Sequence, residues 1–345
     1  MRLIKINSET GNSTLVIGGT VRDLSSYLPD KKLFIITDNN VKRLYGDTFP
    51  RGTVLQIEPG EQSKSLEVVG GLCRSLLEHG ADRSSFILGF GGGVVCDVAG
   101  MVASVYMRGV RHGFVSTTLL SQVDASIGGK TGVNLGSYKN IIGTFRQPEF
   151  VFCDQAMLST LSSEEYISGL GELVKHAVIR DRKLFFDIAE NLTLINERNP
   201  DFLEEIIYRS VRIKAMIVRK DPLEKGSRRL LNFGHTFGHA IEMASRLPHG
   251  IAVMKGMIIA SELSVRSGDM AQDEHRLLTG MLSKLKITPE TDLPADIMTL
   301  IVRDKKSESG FLNVVLLRTV GKAFVRKIPF SDIGAFLAGR VNNKL

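Results

Sequence analysis

A short apolar segment that runs directly into three consecutive glycines lies in the first third of the chain, as FILGFGGGVV at residues 86–95. The apolar part is typical of a buried parallel strand, and the residues after the glycines continue with helical spacing. Without side chains, the backbone N–H groups can approach a pyrophosphate at the positive end of the helix. Because the full GxGxxG pattern is absent, the segment fits either a phosphate-binding loop or a tight turn without a ligand.

Short apolar runs alternate with helical segments throughout the first 150 residues. Strand-like runs occur at residues 33–36, 54–57, 85–88 and 150–152, and residues 66–77 carry apolar side chains at helical spacing. Alternation of this kind indicates a parallel sheet with helices on both faces. The sequence therefore predicts an N-terminal Rossmann-like α/β domain.

The pattern changes after residue 161. Helical periodicities follow at 163–179, 183–196, 201–220, 236–246, 252–268 and 273–285, and strand-like residues are scarce until 313–317. These spacings predict a mainly α-helical second domain. We place the boundary within residues 154–161, which gives an α/β domain of residues 1–157 and a helical domain of residues 158–345.

The net charge of +7 comes from 44 basic and 37 acidic residues. The basic residues are dispersed and tryptophan is absent, whereas nucleic-acid binding favours basic runs interleaved with aromatic side chains. We therefore expect no nucleic-acid partner, and interpret the charge as a solvated basic surface that includes a cleft for phosphate and carboxylate groups.

Membrane insertion and disulfide bonding are both disfavoured. The longest apolar stretch, residues 251–265, is interrupted by Lys255 and Glu262, so no membrane span is expected. The first residues alternate apolar and polar side chains, which predicts a strand rather than a signal peptide. The three cysteines are scattered and fit reduced thiols, so we expect a cytoplasmic protein.

A second glycine-containing segment, DASIGGKT, covers residues 124–131. It resembles the end of a P-loop, but Asp124 stands where that motif requires glycine, which disfavours kinase or ATPase chemistry. Lys130, Lys139 and Asn140 are candidates for holding an anionic substrate, although each taken alone is also typical of a surface residue. Asp97, one turn after the first glycine segment, fits a nucleotide partner or an acid favoured by the helix dipole.

Two histidines four residues apart, His235 and His239, share one face of a predicted helix, and His249 precedes the next helix. Imidazoles combined with a carboxylate are typical of zinc or a similar divalent ion. The spacing leaves open which two histidines bind the metal. Glu172 is the candidate carboxylate, with a solvated pair between Glu172 and Lys175 as the alternative.

These segments together resemble the 3-dehydroquinate synthase family. The resemblance covers residues 38–306 and includes GEQSKS (60–65), GGGVVCDVAG (91–100), YMRGVR (106–111), STTLLSQVDASIGGKTGVN (116–134), KNIIGTF (139–145), GLGELVKH (169–176), LLNFGHTFGHAIE (230–242) and RDKK (303–306). It implies an NAD-binding α/β domain, a helical metal domain and an active site between them.

The resemblance also implies roles for individual residues. Glu172, His235 and His249 would bind zinc or cobalt, which leaves His239 for catalysis. The NAD-binding positions would be Asp38, Asn40, Glu61, Lys64, Gly92, Gly93, Val94, Asp97, Thr117, Thr118, Leu120, Asp124, Lys130, Lys139, Thr160, Leu161 and Glu165. The substrate positions would be Arg108, Asp124, Lys130, Asn140, Lys175, Lys214, Arg228, Asn232, His239 and Lys306, with Lys305 as the alternative to Lys306. The catalytic groups among these would be Lys130, Asn140, Lys175 and His239.

The reaction that the resemblance implies converts 3-deoxy-D-arabino-heptulosonate 7-phosphate to 3-dehydroquinate and phosphate, in the shikimate pathway to aromatic amino acids. NAD would transiently oxidise a hydroxyl group held on the metal. Arg108 would reach the neighbouring subunit's site, which implies a homodimer. One departure from the family pattern concerns the metal centre: Ile251 follows Gly250 where an acid is usual, which removes a candidate hydrogen-bonding partner of the metal ligands.

Three other functions compete with this one. Another sugar-phosphate cyclase, such as 2-deoxy-scyllo-inosose synthase, acts on a substrate without a carboxylate, and Arg228 and Asn232 argue against it. A metal-dependent polyol dehydrogenase would release NADH. A non-catalytic nucleotide- or RNA-binding protein is suggested only by the basic charge.

Overall fold

A computed structural model describes residues 1–136, 138–245, 247–288, 293–294, 296–304 and 310–342. The chain forms two compact units, the first comprising residues 1–162 and 196–223 and the second residues 163–195 and 224–345.

Strands and helices are each numbered in chain order. The strands are β1 (Arg2–Ser8), β2 (Gly11–Ile17), β3 (Leu33–Asp38), β4 (Thr53–Ile57), β5 (Phe86–Gly91), β6 (Arg111–Ser116), β7 (Lys130–Leu135), β8 (Tyr138–Phe145), β9 (Phe150–Cys153), β10 (Phe311–Thr319) and β11 (Lys322–Pro329). The helices are α1 (Asn39–Tyr45), α2 (Leu66–Glu78), α3 (Gly93–Val105), α4 (Ser163–Arg180), α5 (Arg182–Glu190), α6 (Leu192–Asn196), α7 (Pro200–Lys220), α8 (His235–Ser245), α9 (His249–Arg266), α10 (Gln272–Lys284), α11 (Ile297–Asp304) and α12 (Phe330–Asn342).

The first unit is built on a seven-stranded sheet with the order β1-β2-β9-β6-β5-β3-β4. Neighbouring strands are parallel except for β1 and β2, which form an antiparallel hairpin. The near-continuous apolar runs of β3, β5 and β9 are buried, as the sequence predicted for parallel strands. The predicted α/β fold class is confirmed.

The strand order reverses direction between β3 and β5. The chain passes from β3 outward to β4, then returns to form β5 on the other side of β3. In open parallel sheets, ligands bind at the carboxyl ends of the strands where such a reversal occurs. Residues that directly follow β3 and β5 are therefore favourably placed to bind a ligand.

Helix α7 follows residues of the second unit in the chain but belongs to the first. Asn199 caps its first turn and Pro200 begins it, which is a favourable start for a helix. Arg2 of β1 donates to Glu205 at 2.6 Å and lies over the ring of Tyr208. The predicted boundary after residue 157 lies close to residue 162, where the chain first passes from the first unit to the second. The sequence did not predict that residues 196–223 belong to the first unit again.

Strands β7 and β8 form a separate antiparallel hairpin that packs on α3. Val133 is fully buried, and a side chain at Gly100 would collide with Thr131, so the glycine permits the close approach of helix and hairpin. The sequence pattern predicted a glycine-rich ligand segment in this region and did not predict its strands.

The second unit consists of α4–α6, α8–α12 and the β10–β11 hairpin. The predicted helical segments match α4, α8, α9 and α10 closely, and the predicted segment 183–196 divides into α5 and α6 at Asn191. The mainly helical class is confirmed, although β11 was not predicted. Among the residues that the structure describes, no helix has both the length and the apolar character needed to cross a membrane.

His112 on β6 supplies a prediction about acid stability. Its side chain is buried, and burial together with the charge of Arg146 lowers the pKa of His112 to about 3. An unfolded histidine has a pKa of about 6.5, so the unfolded chain binds more protons below that pH and the fold loses stability as the pH falls from about 6.5 toward 3. In His112→Gln, the pH slope of the unfolding free energy should decrease by up to about 1.4 kcal/mol per pH unit in this range.

Denaturant unfolding at a series of pH values measures this slope. His79→Gln, which removes an exposed imidazole, controls for the loss of a histidine as such. An unchanged slope in His112→Gln would contradict a neutral buried imidazole.

Candidate functional site

Three predicted metal ligands lie together in the second unit. The buried Glu172 of α4 places Oε1 at 3.6 Å from Nε2 of His235 and 3.5 Å from Nε2 of His249. His235 is the first residue of α8 and His249 the first residue of α9. Two imidazole nitrogens therefore face one carboxylate oxygen.

The other ring nitrogen of each histidine is held by an acceptor. Nδ1 of His235 lies 3.2 Å from the carbonyl oxygen of Phe233, and Nδ1 of His249 lies 3.0 Å from Oε2 of Glu242. Metal-binding histidines typically donate their second N–H to a carbonyl or carboxylate, which fixes the tautomer and the ring orientation. Glu242 therefore supplies an acid to His249 even though Ile251 stands at the position where the family pattern has one.

Glycines allow the helices that carry the ligands to approach each other. A side chain at Gly171 would place its Cβ 2.5 Å from the carbonyl oxygen of Gly250, and one at Gly250 would collide with the backbone of Ser168. The Ser168 hydroxyl also accepts a hydrogen bond from the backbone N–H of Gly250 at 3.0 Å. The start of α9 is thus fixed against α4, and His249 is brought close to Glu172.

Lys175 lies one turn after Glu172 on α4 and forms an ion pair with it. Both side chains are buried, so the interpretation of the two as a solvated surface pair was wrong. The positive charge of Lys175 stabilises the ionised Glu172, which a metal ligand must be.

The pKa values of the two histidines shift in opposite directions. Burial, with the nearby charge of Lys175, lowers the pKa of His235 well below its usual value. Burial also opposes the charged form of His249, but the contacts with Glu172 and Glu242 outweigh it and raise the pKa to about 9. A neutral imidazole is the form that binds a metal, so a bound cation would displace the proton of His249.

His239 lies one turn after His235 on α8. One nitrogen of each of His235, His239 and His249 lies within 4.8 Å of the corresponding nitrogens of the other two. Glu172 and the three histidines therefore lie close together. That His239 does not bind the metal stays a prediction.

The donor set fits a divalent ion such as zinc or cobalt. Ligand bonds of about 2.0–2.2 Å at a tetrahedral metal hold donor atoms about 3.3–3.6 Å apart. The separations of 3.5 and 3.6 Å from Glu172 to the two histidines agree with this spacing. One carboxylate and two imidazoles also leave a coordination position for a substrate oxygen.

Glu242 should contribute to metal affinity through His249. Glu242→Ala removes the acceptor of Nδ1, so we expect about 10- to 100-fold weaker metal binding. Glu242→Gln keeps a side-chain oxygen and should lose less. Competition with a chelator of known affinity measures the effect, and Met243→Ala, an exposed neighbour on α8, is the control. Unchanged affinity in Glu242→Ala would show that this contact does not tune the site.

The remaining predicted residues of the second unit lie mostly near the start of α8. Arg228 and Asn232 belong to the turn Ser227–Asn232, which leads into His235. The guanidinium-bearing Arg228 is only 2% exposed, and the amide of Asn232 donates to Glu224 at 2.6 Å. Glu165 is exposed in the first turn of α4. Lys305 and Lys306 lie outside the described residues.

In the first unit, predicted NAD-binding residues follow β3 and β5, where the strand order reverses. Asp38 ends β3 and accepts a hydrogen bond from the N–H of Val41, so it also caps α1. Gly92 and Gly93 begin α3 directly after β5. A Cβ at Gly92 would lie 2.8 Å from Cγ2 of Thr118. The glycine therefore allows the backbone at the start of α3 to lie close to Thr118 without a side chain covering it.

Two buried lysines of this unit are fixed by carboxylates. Nζ of Lys64 lies 2.7 Å from Asp97, and Nζ of Lys214 on α7 donates to Oδ1 of Asp124 at 2.6 Å. Burial opposes the charge of Lys64, but Asp97 and Glu61 outweigh it and raise the pKa of Lys64, so the ammonium group stays charged. The sequence did not predict these ion pairs, because the two residues of each pair lie in separate elements, far apart in the chain.

The other predicted positions are distributed over the same unit. They comprise Asn40 on α1, Val94 on α3, Arg108 in the turn after α3, Thr117 and Leu120 after β6, Lys130 at the start of β7, Lys139 and Asn140 on β8, and Thr160 and Leu161 at the end of the turn Gln155–Thr160. Their contacts with NAD or substrate stay predictions.

Comparison with known proteins identifies the family. Residues 54–168 match the family profile described as 3-dehydroquinate synthase N-terminal, and residues 169–307 match the profile described as 3-dehydroquinate synthase C-terminal. A 3-dehydroquinate synthase of Alkaliphilus metalliredigens is 38% identical over 98% of both chains.

Two solved structures are similar over nearly the whole chain. A 2-deoxy-scyllo-inosose synthase complexed with carbaglucose-6-phosphate, NAD+ and Co2+ has a TM-score of 0.88 at 26% identity and covers 100% of both chains. The 2-epi-5-epi-valiolone synthase of Streptomyces hygroscopicus, with NAD+ and Zn2+ bound, has a TM-score of 0.87 at 25% identity and covers 100% of this chain and 99% of its own. From the matched domains and the identity to curated relatives, we conclude that the chain belongs to the 3-dehydroquinate synthase family.

Proposed function

We propose that this protein is a 3-dehydroquinate synthase, which converts 3-deoxy-D-arabino-heptulosonate 7-phosphate to 3-dehydroquinate and phosphate with NAD and a divalent metal. The observation that carries the proposal is the arrangement of Glu172, His235 and His249. The turn that leads into His235 bears the buried Arg228. The three ligands would hold a metal that binds the hydroxyl, and Arg228 would offer a guanidinium for the carboxylate, of one substrate.

When bound, NAD would accept and return a hydride, and the metal would act as a Lewis acid on the hydroxyl group that is oxidised. The chain's own groups bind and orient the substrate. Arg228 would hold the carboxylate through two parallel hydrogen bonds, which its planar guanidinium favours. Lys130, Lys175 and Lys214 would hold anionic oxygens, and a ring nitrogen of His239 would take and return a proton.

The metal is proposed to be zinc or cobalt. Both tolerate a ligand set of imidazole and carboxylate, and the two similar structures contain Co2+ and Zn2+ respectively. The sequence and the donor set fit either ion.

We further propose a homodimer in which Arg108 reaches the partner's site. Arg108 has a φ of 68° and the preceding Met107 a φ of 47°, so the turn after α3 holds two exposed residues in a sparsely populated backbone conformation. Large apolar side chains are exposed nearby in sequence and on the β7–β8 hairpin, namely Val105, Met107, Leu135, Tyr138, Ile141 and Phe145. A second copy would cover such a surface, and sedimentation analysis of the purified protein tests this.

The proposed setting is the shikimate pathway in the cytoplasm. Cys73, Cys96 and Cys153 are all free thiols, which supports a reducing compartment.

Phosphate release tests the proposed reaction. The heptulosonate phosphate should yield inorganic phosphate without net accumulation of NADH, and a chelator should abolish release until metal is restored. Continuous NADH production would indicate a dehydrogenase instead.

A cyclase for a substrate without a carboxylate is the second candidate, because the chain is similar in structure to a 2-deoxy-scyllo-inosose synthase. Glucose 6-phosphate tested in parallel separates the two. Turnover of glucose 6-phosphate alone would favour this alternative, although the two parallel donors of the Arg228 guanidinium suit a carboxylate.

A further inference from the structure

Asn134 occupies an irregular position on β7. The pairing of β7 with β8 shifts register between Val133 and Leu135, so that residues 139–141 of β8 form a bulge opposite the single residue Asn134. Its backbone N–H donates to the carbonyl oxygen of Lys64 at 2.8 Å instead of to a residue of the hairpin. Opposite the bulge, the backbone of β7 is therefore hydrogen-bonded to the segment of residues 61–64.

The side chain of Asn134 makes two further hydrogen bonds. Its amide Nδ2 donates to Oε1 of Glu61 at 2.8 Å, and its Oδ1 accepts from the backbone N–H of Asn140 at 2.8 Å. Asn140 has a φ of 52°, a left-handed conformation that residues other than glycine adopt mainly where neighbouring contacts stabilise it. One side chain thus contacts Glu61 on one side and fixes the backbone of Asn140 on the other.

Apolar packing contributes little at this junction. A cavity of about 210 Å³ is lined by residues 61–62, 64–67 and 134–136. Leu135 and Tyr138, which flank the hairpin turn, are both more than half exposed. The backbone and side-chain hydrogen bonds of Asn134 therefore join the tip of the hairpin to residues 61–64 across a junction that is open to water.

We propose that Asn134 is a positioning residue that couples the segment of residues 61–64 to the hairpin that carries Lys130, Lys139 and Asn140. The proposal rests on the proposed function and on the predictions that Glu61 and Lys64 contact NAD and that Lys130 and Asn140 of the hairpin contact substrate. Binding of NAD at Glu61 and Lys64 then fixes Asn134, and through it the backbone of Asn140 in the bulge of β8. NAD binding would prepare the hairpin for the sugar phosphate.

Two substitutions separate the two side-chain contacts. Asn134→Asp keeps the acceptor for Asn140 but loses the donor to Glu61 and places a second carboxylate beside it. We expect about tenfold weaker NAD binding, with kcat at saturating NAD close to that of the unaltered protein. Asn134→Ala removes both contacts and should also raise the KM for the heptulosonate phosphate. NADH fluorescence titration and steady-state kinetics measure these values, with Asn12→Asp, an exposed asparagine of β2, as the control.

Rescue distinguishes coupling from a general loss of structure. Asn134→Gln keeps an amide donor for Glu61 and an amide acceptor for Asn140, so NAD affinity should recover relative to Asn134→Asp. The proposal is overturned if Asn134→Asp and Asn134→Ala both bind NAD and substrate as the unaltered protein does. It is also overturned if they lose kcat, both affinities and thermal stability together without rescue.

Hydrogen–deuterium exchange measures the coupling between NAD binding and the β7–β8 hairpin without requiring catalysis. NAD should slow amide exchange in residues 138–145 of the unaltered protein, and this protection should be lost in Asn134→Asp. Protection by NAD in a protein that never releases phosphate from the heptulosonate phosphate would support the coupling and reject the proposed reaction. Phosphate release without any such protection would support the reaction and reject the coupling.

Discussion

Replacing His235 or His249 with alanine should leave a protein that binds metal at least on the order of 100-fold more weakly and has lost its activity. Each substitution removes one of two imidazole nitrogens that face Glu172 at 3.6 and 3.5 Å. Loss of an outer partner costs about 10- to 100-fold in affinity, and loss of a direct ligand should cost more. Metal content after dialysis against a weak chelator, measured by atomic absorption, is the test.

His239→Ala should behave differently from these two variants. Although His239 shares the space of the other histidines, we expect it to move protons, so the variant should keep its metal and lose turnover. His79→Ala, which removes an exposed histidine of the first unit, controls for the loss of an imidazole elsewhere. A His239 variant without metal, together with a His249 variant that retains it, would reverse the assignment of ligands.

Arg228→Ala should lower kcat/KM for the heptulosonate phosphate by roughly 10²- to 10⁴-fold. A hydrogen bond to a charged group contributes about 1.5–3 kcal/mol, and a guanidinium can donate two to one carboxylate. The side chain is only 2% exposed, so water cannot replace it easily. Arg228→Lys keeps the charge but not the two parallel donors, and should recover only part of the loss.

Arg229→Ala is the matched control, because Arg229 is the next residue of the same turn and is less buried. Metal content should be unchanged in both variants, which separates substrate recognition from damage to the metal centre. Unaltered kinetics in Arg228→Ala, or efficient turnover of glucose 6-phosphate by the unaltered protein, would contradict the role in carboxylate binding proposed for this arginine.

The fold was predictable where the hydrophobic pattern has one clear period. The apolar runs of β3 and β5 and the long helical periods of α4 and α9 each match the structure closely. Periodicity reports which residues are buried along one element, but it carries no information on which distant element covers them. The packing of α7 in the first unit, although it follows helices of the second, is such a tertiary feature, and it was not predicted.

The metal centre was predictable to a similar extent. Residue chemistry indicated Glu172 and a group of three histidines, and the structure brings all four together. The contact between Glu242 and His249 was not predicted, because the family pattern points to position 251, close to the histidine in sequence. The acid is instead Glu242 of α8, seven residues before His249 in the sequence.

The β7–β8 hairpin shows a different limit. Its sequence is rich in glycine and polar residues, and most of β8 is exposed, so the alternation that marks a half-buried strand is weak. Asn134 contacts Asn140 in a bulge of the facing strand β8, and that bulge has no distinct signal in this sequence. Both features become visible only once the two strands are paired.

The glycine contact between α4 and α9 restricts how this centre could evolve or be redesigned. Even a methyl group at Gly171 or Gly250 would force the two backbones apart and separate Glu172 from His249. Mutational libraries selected for a new metal or a new sugar should therefore contain almost no survivors altered at these two glycines. Adaptive changes should accumulate instead around His239 and Glu242, where side chains rather than backbones define the surroundings of the ion.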